Sequence, residues 1–123
     1  MKRTKLENMT VDQLVERFDV IGVDQDTALA TGATAKFNRL FDEMEVVENE
    51  LKVRDGDQRW ALLRLYDHPN AQVRLNAVKA TLAVAPEAAR RMLQAIADSN
   101  EFPQAGDAGM TLVTLDRGIF RPS

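Results

Sequence analysis

No cysteine occurs anywhere in this chain of 123 residues. Disulfides, thiolate nucleophiles and cysteine-ligated zinc are excluded together, and the composition suits a reducing cytosol. Histidine is nearly as scarce, with His68 alone, so transition-metal ligation would have to rest on carboxylates. Trp60 and Tyr66 are the single residues of their kinds and read as core or groove aromatics before stacking platforms. No apolar run is long enough to span a bilayer, and the basic start MKRTKLENMT has no apolar stretch behind it to form a secretory signal. Strand signals are weak too: β-branched residues do not cluster. These absences together give the expectation of a cytoplasmic, all-helical protein with no cofactor and no membrane attachment.

What is present is ordinary globular material. A hydrophobic fraction of 45% and a charged fraction of 28% argue against wholesale disorder. The length is that of one domain. We expect residues 1–9 to form a flexible arm and residues 10–123 a single helical-repeat domain. A formal net charge of -3 supplies no broad positive field for nucleic acid or an anionic membrane.

Helix signals run along the chain. Thr10 and Gln13 have capping-box spacing, and Leu14, Phe18 and Ile21 follow at helical intervals. A first helix over Thr10–Ile21, stopped by Gly22, and a short second one over Asp24–Thr31 are expected, with Gly32 as a break. From Ala33 to Val53 the residues Phe37, Leu40, Phe41, Met44, Val47 and Leu51 form one stripe. Arg54–Asp57 is a turn that caps the next helix, which carries Trp60, Leu62, Leu63, Leu65 and Tyr66. Pro69 then forces a turn at Asp67–Asn70. The helix expected over Ala71–Ala85 is apolar on two faces, Val73, Ala77, Ala80 and Val84 on one, Leu75, Val78 and Leu82 on the other. Only the arc of Asn76, Lys79 and Ala83 suits water, as for a helix sandwiched inside a stack. Pro86 opens another helix at its favoured first position. A last helix over Gln104–Arg117 ends at Gly118, with Gly109 expected at a close helix contact and Ile119 and Phe120 folding back onto the stack.

Residues 62–82, LLRLYDHPNAQVRLNAVKATL, resemble the HEAT-repeat motif in Leu62, Leu63, Leu65, Asp67, Pro69, Val73, Arg74, Ala77 and Leu82. The wider pattern is similar to a small bacterial family of unknown function, uncharacterised-domain family 2019. Its features stand here as AKFNRLFDEMEVVENELK (Ala35–Lys52), the same hairpin, APEAARRMLQAIA (Ala85–Ala97) and FPQAGDAGMTLVTLDRGIF (Phe102–Phe120). The resemblance implies an all-α armadillo/HEAT-like stack of about six or seven helices in antiparallel pairs. It implies no activity. The earlier helices do not repeat the Asp67–Arg74 signature, so a compact capped stack is expected rather than a regular superhelix.

Few residues invite chemistry. His68 beside Pro69 reads as a turn residue bonding local backbone rather than a general base. Arg74 falls in the apolar arc of its helix and needs a counter-charge. Asp67 is the first candidate and Glu48, placed on the apolar stripe of Ala33–Val53, the second, as a structural ion pair. The acids Asp42, Glu43, Glu45, Glu48 and Glu50 spread around their helix and read as a solvated face. Arg64, Lys79, Arg90 and Arg91 could make a modest basic patch. Gly106-Asp107-Ala108-Gly109 follows no strand and lacks the lysine of a phosphate loop.

The expectation is a non-catalytic protein–protein interaction module, with Lys79, Arg90, Arg91 and Trp60 as candidate partner-binding residues and a homodimer as one form. The alternatives are a nucleic-acid-binding helical-repeat protein, which the overall charge disfavours, and a small acidic immunity-type inhibitor of a basic toxin.

Overall fold

A computed structural model describes residues 6–123. Five α-helices and one 3₁₀ helix begin and end within that range: α1 Val11–Ala30, α2 Thr34–Val53, the 3₁₀ helix Gln58–Asp67, α3 Ala71–Thr81, α4 Pro86–Ala97 and α5 Gln104–Asp116. No strand occurs among the described residues. Two compact units divide the chain, Met1–Ala61 and Leu62–Ser123.

The first unit is an α-hairpin. Thr10 closes the capping box as its spacing predicts: Gln13 N donates to Thr10 Oγ1 at 3.1 Å, and Thr10 N to Gln13 Oε1 at 2.8 Å. The two short helices expected next are one. Gly22 does not stop the helix; it is buried in the interior of α1, and the chain remains helical to Ala30. A glycine costs a helix only about 1 kcal/mol relative to alanine, which burial of Leu14, Phe18, Ile21 and Ala28 on the same helix outweighs. The break comes at Gly32, whose φ of 70° is open to glycine and unfavourable for other residues. Arg17 reaches Glu43 at 3.2 Å, while Arg54 reaches the Leu6 carbonyl at 2.9 Å. The numbers rise on one strand of the hairpin as they fall on the other, so α1 and α2 are antiparallel. Of the arm expected at 1–9, residues 1–5 lie outside the described residues, and Leu6 is buried. The α2 stripe is narrower than its sequence suggests: Leu40, Met44, Val47 and Leu51 are buried, but Phe41 is exposed.

The segment expected as the first helix of the HEAT-like hairpin is 3₁₀ over ten residues. Its buried positions are Arg59, Leu62 and Leu65, every third residue. That is the period of a 3₁₀ helix, with three residues per turn, whereas an α-helix would rotate each successive position away from the stripe.

The second unit holds the clearest core. Leu75, Val78 and Leu82 pack with Ala89, Leu93 and Ile96 of α4 and with Ala108 of α5. Asn70 caps α3, its side-chain oxygen accepting from Gln72 N at 2.9 Å and Val73 N at 3.2 Å. α3 is buried on both faces, as the sequence indicates. Its wet arc is smaller than expected. Asn76 is buried and accepts from Gln72 Nε2 at 2.9 Å, while Gln104 Nε2 of α5 donates to Gln72 Oε1 at 3.0 Å. This polar chain removes the need for Asn76 to face water. Pro86 opens α4 as expected. Gly118, at φ 71°, follows the end of α5. Gly109 makes no close helix contact: a Cβ there would meet nothing within 4 Å.

Candidate functional site

The polar side chains of the second unit are spent largely on each other. Arg74 donates to the His68 carbonyl at 2.7 Å and to Glu101 at 2.6 Å. Its counter-charge is therefore Glu101, not the expected Asp67. Twenty-seven positions separate Arg74 and Glu101, and only the return of the chain through α4 brings the acid to that place. His68 does bond local backbone: Nδ1 accepts from Asn70 N at 3.0 Å, which holds the turn leading into α3. Tyr66 shares a 2.6 Å hydrogen bond with Thr81, and burial pushes its phenol above the ordinary range, partly opposed by that bond.

The expected basic patch is divided by acids. Lys79 meets Asp107 at 3.0 Å, bridging α3 to α5, and Arg90 meets Asp116 at 2.8 Å, bridging α4 to α5. Both pairs are solvent-exposed, so each contributes about 0–1 kcal/mol to stability. Their consequence is electrostatic: two of the cations offered for phosphate or an acidic partner already have a carboxylate beside them. Trp60 is half-exposed in the first unit.

Sequence reasoning missed Arg59. Its side chain is buried, and Nε and Nη2 donate to the two oxygens of Asp57 at 2.9 and 2.7 Å. Those bonds hold the Asp57 carboxyl below the usual range. The signal was Gly56-Asp57, a turn in which both residues take positive φ and which sets the acid two positions ahead of the arginine. Glu48, expected to answer Arg74, instead feels Arg59 and Lys52 in its own unit. Burial raises its carboxyl above the ordinary glutamate range, Arg59 and Lys52 oppose this, and Glu45 adds to it. The folded chain thus binds that proton more tightly than the unfolded chain. Stability from Glu48 is fullest below the ordinary glutamate range and declines as pH rises through the raised value. Glu48→Gln is expected to flatten this decline and to be more stable than the parent at neutral pH. Urea melts between pH 4 and 8 check it, and a variant less stable than the parent at pH 7 would refute the assignment.

One apolar surface belongs to neither core. Phe102 (69% exposed), Met110 (65%), Val113 (42%) and Ile119 (70%) are open to solvent on or beside α5. Gly106, Met110 and Val113 lie on one stripe, opposite the buried Ala108 and Thr111. The Phe102 ring lies over Gly106, 3.9 Å from where a Cβ would stand. Ile119 and Phe120 donate their backbone N–H groups to the Thr114 carbonyl at 2.9 and 3.2 Å, so they turn back at the end of α5. Their side chains do not bury as expected: Ile119 stays outside and Phe120 is 37% exposed. Among the described residues no helix is long and apolar enough to cross a membrane.

Helical hairpins with apolar cores, cross-linked by ion pairs and carrying one uncovered helix face, define an all-α protein of hairpin construction. The chain belongs to the family described as Domain of unknown function (DUF2019), whose model matches residues 12–116. It is similar to a solved crystal structure, that of the protein RPA1889 from Rhodopseudomonas palustris CGA009. The two are 55% identical, with 96% of this chain and 98% of that one covered and a TM-score of 0.94. A comparison with curated proteins finds no match.

Proposed function

We propose that this protein is a non-catalytic protein–protein interaction module of HEAT-like build, working in the cytoplasm. The observation that carries the reading is the uncovered apolar face of α5. Large apolar side chains clustered on one exposed stripe and rimmed by charge mark association surfaces more often than chance. Two further features support it. His68, the one imidazole, is engaged in holding its turn. Lys79 and Arg90 sit in ion pairs, which leaves the nucleic-acid alternative with less positive surface than its sequence promised.

The test uses the full chain as an immobilised bait against extract of the source cell, alongside Met110→Glu. A protein retained by the parent, in stoichiometric amount and at 0.3 M salt, and lost at least tenfold with Met110→Glu is the expected result. Retention of nucleic acid that disappears with salt, with no protein retained, would replace this reading with the nucleic-acid one.

A further inference from the structure

His68 is the one histidine of the chain, and its ring stands where a single protonation state serves the fold. Its Nδ1 lies 3.0 Å from Asn70 N. A backbone N–H can only donate, so Nδ1 must keep its lone pair and the ring proton must sit on Nε2. The bond has the form of an Asx turn, in which a side-chain atom attached to Cγ accepts from the backbone two residues on. Nδ1 fills the place that an asparagine oxygen would take. An asparagine oxygen does not titrate, whereas histidine is the side chain that ordinarily gains a proton between about pH 8 and pH 5. That second proton can go only to Nδ1. The imidazolium has two donors and no acceptor, so its Nδ1–H would face the Asn70 N–H, donor against donor.

The bond stands at the entry to α3, where several ties converge. Asn70 is the cap of that helix, its side-chain oxygen accepting from Gln72 N and Val73 N. The Gln72 side chain accepts in turn from Gln104, at the start of α5. Arg74 donates both to the His68 carbonyl and to Glu101, just ahead of α5. The ionisable groups about the turn are therefore Asp67, next to the ring in sequence, Arg74 on α3, and Glu101 from the connection between α4 and α5. A proton on the ring adds a cation to a turn that already holds Arg74. A neighbouring carboxylate can balance that charge, but it cannot return the lone pair to Nδ1.

We propose that His68 is a proton-operated latch on the first turn of α3: the neutral ring holds the Asn70 N–H, and the imidazolium releases it. Release loosens the cap, and through Gln72 and Arg74 it reaches both ties to the start of α5. The latch stands on the geometry of the turn and is independent of any partner.

Nuclear magnetic resonance of the nitrogen-15-labelled full chain, from about pH 8 down to about pH 5, tests it. At the upper end the ring nitrogens are expected to report the Nε2–H tautomer as the main neutral form. As the ring titrates, the Asn70 amide signal is expected to move with the same midpoint. Exchange of the Gln72 and Val73 amide protons, corrected for the intrinsic effect of pH, is expected to quicken by roughly 2–10-fold, which corresponds to the loss of one hydrogen bond. His68→Asn keeps the acceptor and removes the titration. It is expected to match the parent at about pH 8 and to hold the same protection at about pH 5. His68→Ala is expected to exchange at the faster rate throughout. Circular dichroism confirms that each variant is folded, and the comparison of the parent with His68→Asn stands whether or not His68→Ala folds. A neutral ring with its proton on Nδ1, a ring that stays neutral to about pH 5, an Asn70 signal that does not follow the ring, or a His68→Asn variant that loosens on acidification as the parent does, overturns the proposal.

Discussion

Phe18→Ala is expected to lower the stability of the first unit by about 3–5 kcal/mol, the usual cost of deleting a fully buried aromatic ring. Phe18 is 1% exposed at the middle of α1. The register that sets Arg17 beside Glu43 puts Phe18 level with Leu40 and Met44 of α2, both buried. Deleting the ring removes its apolar contacts and leaves a void among close-packed side chains. Lost transfer energy and the residual void therefore both count. In a chain of this length the loss corresponds to a fall in melting temperature of roughly 10–20 °C. Thermal and urea unfolding followed by circular dichroism give the measurement. Val53→Ala, at a position 68% exposed on α2, serves as the control and is expected to shift stability by no more than about 0.5 kcal/mol. A loss below about 1 kcal/mol for Phe18→Ala would mean that α1 and α2 do not enclose the ring.

Gln72→Leu is expected to destabilise the second unit by about 2–4 kcal/mol, although leucine is apolar and close to glutamine in size. Gln72 is the middle of a buried chain, accepting from Gln104 and donating to Asn76. Its removal leaves the Gln104 amide without its acceptor and withdraws one donor from the Asn76 oxygen. A buried polar group deprived of its partner costs about 1–3 kcal/mol, more than the hydrogen bond itself contributes. The signature of this mechanism is non-additivity. Gln104→Leu alone should also destabilise, but the double variant is expected to lose at least about 1 kcal/mol less than the two losses combined, because no orphan amide remains between them. Urea denaturation of the four proteins closes the cycle. Strict additivity would refute the network, and a neutral Gln72→Leu would place water in the site.

The way each feature was or was not readable follows from the distance over which it is fixed. Thr10 and Gln13 are three residues apart, and their capping box forms as the spacing demands. Asn70, Pro86 and Gly32 act on the residues next to them, and each punctuates the chain where a turn residue should. The two-faced pattern of α3 was legible because Val73, Ala77 and Ala80 repeat on a helical period regardless of what covers them. Gly22 was misleading for the opposite reason. Glycine weakens a helix in isolation, yet the side chains on either side of it bury into one continuous stripe, and that burial is a tertiary quantity. The 3₁₀ helix escaped notice because its apolar residues fit both periods over so short a run. Only the burial of Arg59 together with Leu62 and Leu65 decides for three per turn.

The candidate site divides along the same line. That Arg74 needs a carboxylate followed from its place on an apolar arc; that the carboxylate is Glu101 required the chain to turn twice and come back. The cations Lys79 and Arg90 were visible as a cluster in number but not in space, since their acids come from α5. Helical spacing puts Met110 and Val113 on one face of α5, but spacing does not say whether another element lies against that face. The sequence by itself determined that this chain is helical, where most helices start and stop, and that the segment around Val73–Ala80 is enclosed, because caps and periodicity act within a few residues. Only the tertiary structure decided which charges pair, which amides are buried and which helix face is left uncovered. Those outcomes depend on atoms brought together from positions tens of residues apart, and no local pattern encodes that distance.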